Sequence, residues 1–177
     1  FELAGDHLSM PSEFDWMRDL ASEIRRPVVF NLSQTHQGPE LWKEMVTRLE
    51  KAQEEDVPVY AQVAGRAIGI VMGWRGTAHP FALVPTAAAL TQQPWEDALP
   101  KLRDPQVRAQ ILAEEAMQLG EFETFVTTTF TNMFPLRGAD YEPKPEESIA
   151  AIAKREGRSP KEVAYDILME NDGEGFL

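Results

Sequence analysis

Asn31, Ser33, Gln34, Thr35 and His36 close and follow one short apolar run of the chain, and Tyr60, Gln62 and Arg66 close and follow another. These hydroxyl, amide, imidazole and guanidinium groups are the ones best suited to grip a polar substrate. An amide at position 62, between Ala61 and Val63, is expensive to bury without partners, so Gln62 is expected to meet a ligand, a water or a neighbouring polar group of the protein itself. Arg66 offers a fork of donors that clamps a carboxylate bidentately or closes a salt bridge between loops. Ser33, Gln34, Gln62 and Arg66 are therefore the candidate substrate-binding residues. No catalytic motif accompanies them: HxH, HExxH, GxSxG and P-loop spacings are missing, cysteine is missing, and His7, His36 and His79 stand far apart. The adjacent pairs Glu54-Glu55, Glu114-Glu115 and Glu146-Glu147 point in different directions along helical sequence and read as solvated faces, not as acid/base pairs. His7 reads as a solvated loop histidine. His79, set among aromatic and apolar neighbours, reads as a hydrogen-bonded structural one.

The elements that must position these residues lie between Arg26 and Arg66. Val28-Val29-Phe30-Asn31-Leu32 is too short for a helix and β-branched at its start, so it predicts a strand buried on both faces. Leu41, Met45 and Leu49 recur every fourth residue beside Trp42 and Val46, which predicts an amphipathic helix after Gly38-Pro39. Val57 to Val63 returns to strand, with Pro58 near its beginning, where a missing N–H does least harm. Strands joined by a helical crossover are parallel, and ligands of parallel α/β sheets bind in the loops after the strands' carboxyl ends. Upstream, Phe1-Glu2-Leu3 reads as part of an earlier strand, and Ser12 as the N-cap of a helix whose face is Phe14, Met17, Ala21 and Ile24, supported by Leu20.

From Gly65 the pattern changes. Gly65, Gly69, Gly73 and Gly76 lie among apolar residues without a phosphate-loop spacing and predict a packed loop, with a short strand at Ile68 to Met72. The chain beyond it is helical: a segment capped by Thr86, one starting at Gln93-Pro94, one starting at Asp104-Pro105 and running to Gly120, and an ambiguous stretch from Glu121 to Phe134 read as helix over strand. After the proline-rich loop 135–145, two capped helices close the chain, the first ending at Gly157 and the second starting at Ser159 with Glu162 at its third position.

The 177 residues, 43% hydrophobic, suffice for one domain with a real core. A formal charge of -12 excludes a phosphate-binding surface for nucleic acid. No apolar run approaches the ~20 residues of a membrane span. Lack of cysteine fits a reducing compartment, and the expected localisation is cytoplasmic. The start without Met and the abrupt ending at Gly175-Phe176-Leu177 suggest an internal segment of a longer chain.

The runs RPVVFNLSQ, VPVYAQVAGRAIGIVMGW, HPF, LRDPQVRAQIL, YEPKPEESIAAIAKREGRSPKEVAYDIL and MENDGEGFL together resemble the middle and later region of the N-acyl-D-amino-acid deacylases (D-aminoacylases) of the amidohydrolase superfamily. The resemblance implies a metal-dependent hydrolase with a TIM-like (β/α)8 barrel, of which this α/β chain holds two to three parallel strands and a mostly helical insertion. Zinc is the metal it implies for the parent enzyme, and an N-acyl amino acid or related amide the substrate. It implies a division into a barrel segment (1–64), a loop and helical insertion (65–143) and a C-terminal helical hairpin (144–177), with the remainder of the barrel as partner. The family's Ser-His-His-Lys motif, anchored here on Gly38, Pro39 and Trp42, falls on Leu32, Ser33, Gln34 and Thr35, so its ligand histidine and its lysine are missing. A second ligand position falls near Ala4. His36, a few residues displaced, is the one candidate substitute ligand within the segment. Two other classes stay open: a non-catalytic binding or assembly module that keeps the barrel frame, and a free-standing small α/β domain.

Overall fold

A computed structural model describes residues 1–5, 9–35, 37–117, 120–138 and 142–177, apart from the side chains of 121 and 122. The described chain is α/β and divides into two compact units, Phe1–Ile68 and Gly69–Leu177.

Unit 1 is built as strand, helix, strand, helix, strand: β1 (Glu2–Leu3), α1 (Met10–Ile24), β2 (Val28–Asn31), α2 (Leu41–Glu54) and β3 (Val59–Gln62). The strands form a parallel sheet in the order β1-β2-β3, with Leu3 opposite Phe30, Val28 opposite Val59 and Asn31 opposite Gln62. The β-α-β-α-β reading holds. Alternation along the strands decides which side chains are covered. Val28, Phe30 and Val59 join Phe14, Met17 and Ala21 of α1 and Met45, Leu49 and Ala52 of α2 in one core, so both helices cover the same face of the sheet. Phe14 meets Phe30 edge-on at 6.0 Å between ring centres. The opposite face carries Val29, Asn31, Tyr60 and Gln62, the first two half-buried and the last two exposed. The expectation of a strand buried on both faces is therefore corrected: within unit 1, α1 and α2 both lie on the same side, and Val29 and Asn31 on the other are only half-buried.

α1 begins earlier than Ser12 predicts. Ser9 is its N-cap residue and Pro11 sits in its first turn, a place a proline fills without losing a helical hydrogen bond. Arg25, at φ 51°, turns the chain into β2. Arg48 on α2 reaches Asp15 of α1 at 2.9 Å and the Pro11 carbonyl at 3.2 Å, and Arg18 pairs with Glu55, so charged side chains brace the two helices outside the core.

Unit 2 is helical: α3 (Pro85–Thr91), α4 (Trp95–Leu102), α5 (Pro105–Ala113), α6 (Glu121–Thr128), α7 (Ile149–Glu156) and α8 (Pro160–Leu168). Its core draws Trp74, Phe81, Ala87, Leu102 and Ile111 together with Ile149, Val163, Tyr165 and Leu168, so the stretches on either side of residue 143 share one interior. The caps follow the sequence. Asp104 accepts from the Gln106 N–H at 2.7 Å, Ser148 from Ala151 at 3.3 Å, and Ser159 and Glu162 form a reciprocal capping box. Three expectations are corrected. The helix from Pro105 ends at Ala113, not Gly120, because Glu114 turns extended and carries its carboxylate to the first turn of α3, accepting from the Thr86 N–H at 2.9 Å and hydroxyl at 2.6 Å. Thr86 is thus inside α3, whose N-cap position is Val84. No strand forms over Ile68 to Met72; residues 65–71 are exposed, and Met72 alone exchanges two backbone hydrogen bonds, each 2.9 Å, with Leu177. Of the glycines in that run, Gly73 meets a close approach: a Cβ there would stand 2.9 Å from the Phe176 ring.

Candidate functional site

The carboxyl ends of β2 and β3 are side by side. Leu32 donates its N–H to the Gln62 carbonyl at 2.9 Å, carrying the ladder one step past β2, so the loops that begin at Ser33 and at Val63 leave the sheet as neighbours. Asn31 ties in the third strand end by accepting from the Gly5 N–H at 3.1 Å. Asn31 and Gln62 then form a polar cross-strand pair on the open face, beyond the more apolar pair Val29 and Tyr60. The chemistry of this edge consists of amides and a hydroxyl, with a guanidinium a few residues on.

Each predicted residue has a definite place. Ser33 is half-buried at the start of the β2 loop. Gln34 is exposed and donates its Nε2 to the Pro39 carbonyl at 3.1 Å, while Thr35 accepts from the Gly38 N–H at 3.3 Å through Oγ1. The β2 loop is closed on itself by these two bonds. Gln62 is exposed, so the burial cost anticipated for its amide does not arise: its side chain is on the face that no helix of the unit covers. Arg66 is exposed and donates Nη1 to the Ala67 carbonyl at 3.3 Å. His36 and His7 lie outside the described residues. Asn31, one of the polar residues that close the first strand in the sequence, stands opposite Gln62, a register that the sequence alone does not give.

His79 occupies a different setting in unit 2. It is only 2% exposed, its ring centre is 5.1 Å from that of Trp74, and its Nδ1 accepts from the Phe81 N–H at 3.3 Å. Burial lowers its pKa from the usual 6.5 to about 4, so it is neutral at pH 7. This is the hydrogen-bonded structural histidine that its sequence neighbours predict. The acidic pairs are not paired carboxylates either: Glu55 serves Arg18, Glu114 serves Thr86, and Glu147 accepts from the Lys144 N–H at 2.8 Å.

Among the described residues, the zinc that the family resemblance implies meets an unsuitable donor set at this edge. Zinc sites are made of imidazole, thiolate and carboxylate, whereas Ser33, Gln34 and Thr35 bring hydroxyls and an amide, and two of the three are engaged within their own loop. Among the described residues no cluster of three or more His, Cys, Asp or Glu side chains could hold a metal ion. Nor, among them, is any helix long and apolar enough to cross a membrane. Compared with known proteins, the chain matches no family model, no curated protein and no solved structure.

Proposed function

We propose that this chain is a segment of an amidohydrolase-type barrel enzyme resembling the N-acyl-D-amino-acid deacylases, and that the carboxyl ends of β2 and β3 form part of its substrate-binding wall. The observation that carries this reading is the one-sided sheet. In a doubly wound fold, helices cover both faces, whereas in a (β/α)8 barrel every helix lies outside and the other face lines the interior. Here α1 and α2 share one face, the strands follow one another in sequence order, and β1 and β3 are each paired on one side only among the described residues. The bare face has apolar side chains low down and Asn31 and Gln62 at the carboxyl end, which is where barrel enzymes keep their sites.

On this reading Arg66 grips the carboxylate of an N-acyl amino acid with its guanidinium fork. Gln62 donates its amide to the acyl oxygen, and the Ser33 hydroxyl fixes the remaining polar edge of the substrate. Gln34, held to Pro39, shapes the β2 loop beside them. No cluster of described residues would hold the zinc by itself, and the work proposed for this segment is to bind and orient. The test is hydrolysis of N-acyl-D-amino acids by the full-length protein, followed by amino-acid release. Arg66→Ala is expected to raise KM by about tenfold or more with a much smaller change in kcat, since the guanidinium grips a part of the substrate that does not react. Unchanged affinity and turnover in Arg66→Ala and Gln62→Ala together would overturn the assignment.

A second reading, a non-catalytic module that keeps the barrel frame, is favoured by the self-closed β2 loop: Gln34 and Thr35 spend their hydrogen bonds on stabilising a turn. Metal analysis of the full-length protein separates the two. Stoichiometric zinc with hydrolysis supports the enzyme; an intact fold that binds N-acyl amino acids without hydrolysing them supports the module.

A further inference from the structure

Unit 2 contains a pocket of about 260 Å³ that is independent of the strand-end site. Its floor is apolar and half-buried, made by Phe134, Pro135, Pro143 and Ile152, while Arg137 and Arg155 stand exposed at its rim. Backbone hydrogen bonds set the walls: Ile149 to the Met133 carbonyl at 2.8 Å and Leu136 to the Phe176 carbonyl at 2.9 Å. Two prolines stiffen the floor.

Charge selects what such a pocket accepts. The chain as a whole is strongly acidic, at -12, yet this rim brings two guanidinium groups together. Arg137 is engaged by Glu170 at 2.5 Å. Arg155 donates Nη1 to the Glu146 carbonyl at 3.2 Å and has no carboxylate partner among the described residues, so its charge is not neutralised by an ion pair. Among the described residues Glu147 is the acid that lines the pocket, and its carboxylate accepts from the Lys144 N–H at 2.8 Å. An apolar floor beside a guanidinium that has no carboxylate partner among the described residues fits a ligand with an apolar body and one anionic end. The volume is below the ~300–1,000 Å³ of drug-sized sites, which limits the ligand to a small one. We propose that this pocket binds small carboxylates that carry an apolar or aromatic group, with the ring or chain against Phe134 and Ile152 and the carboxylate on Arg155.

Benzoate is the probe, with benzyl alcohol and acetate as its two halves. In an NMR titration of the chain, benzoate is expected to shift the amides around 134–137 and 152–155 saturably, and each half alone to bind at least fivefold more weakly. Arg155→Gln, an exposed substitution that should leave the melting temperature unchanged, is expected to weaken benzoate about fivefold or more. Ile152→Ser, which strips the floor and leaves the charge, should weaken it too. Equal binding of benzoate and benzyl alcohol, shifts confined to other regions, or benzoate binding that survives Arg155→Gln overturns the proposal. Neither variant touches β2 or β3, so failure here leaves the strand-end reading standing.

Discussion

Gln62 in unit 1 and His79 in unit 2 are both polar side chains set among apolar neighbours in sequence, and the two units place them oppositely. In unit 1 the helices α1 and α2 pack on one face of the sheet, and strand alternation sends Gln62 to the other. In unit 2 His79 is enclosed by Trp74 and its own turn to Phe81, with Trp74 stacked on Phe81 at 5.3 Å and edge-on to Tyr165 at 5.1 Å. A single-layer sheet keeps a face available for a ligand or another element. A helical cluster closes around an aromatic centre, and polar groups caught there must be satisfied from within.

The largest expected effect comes from the centre of unit 2. Trp74 is 1% exposed and touches three other rings, so Trp74→Ala should destabilise the unit by ~3–5 kcal/mol, measured by denaturant unfolding. Trp74→Phe should cost much less. The buried indole N–H has no hydrogen-bond partner among the described residues, so replacing it removes a donor unsatisfied there along with part of the ring. A small loss in Trp74→Ala would mean that the aromatic cluster does not organise this unit.

Next in size is the acid response of His79. Its folded pKa of about 4 lies below the unfolded value of 6.5, so between these the unfolded chain binds a proton that the folded one refuses. The neutral imidazole's contribution is complete above pH 6.5 and is lost as pH falls to 4, a difference of about 3 kcal/mol. Glu55, Glu114 and Glu162 are also held below the ordinary carboxylate range, by hydrogen bonds to Arg18, to Thr86 and to Ser159 respectively, and their contributions fade at lower pH still. Unfolding free energies measured from pH 7 to 5 should therefore fall in the wild type and fall much less in His79→Gln. Equal slopes would show that His79 is not enclosed.

The same contrast explains what the sequence made legible. Parallel β-α-β-α-β order, the faces of α1 and α2, and the caps at Asp104 and Ser159 are local signals: periodicity, a proline after an N-cap, a reciprocal Ser–Glu pair. His79 was legible because its neighbours in sequence are also its neighbours in space. Features set by distant partners were not. The early end of α5 depends on Glu114 finding Thr86, 28 residues away. The exposure of Gln62 depends on where a helix from another part of the chain settles, and an apolar run alone does not say whether one face of a strand or both will be covered. For the candidate site, position at the strand ends was readable; the closure of the β2 loop through Gln34 and Thr35 was not.

The smallest expected effect is the most discriminating. With Gln62 on an uncovered face, Gln62→Leu should change unfolding free energy by no more than about 0.5 kcal/mol, as an exposed substitution does. Suppose instead that the full-length protein loses more than about 1 kcal/mol in this variant. The amide would then be enclosed and hydrogen-bonded there, because leaving its partner unsatisfied is what makes such a change costly. The bare face would be an interior completed by other strands, as the barrel reading requires. On the proposed barrel reading, performing the substitution both in residues 1–177 and in the longer protein makes the comparison complete: neutral in both, the face is open to solvent or ligand; neutral in the shorter and costly in the longer, it is the wall of a closed barrel.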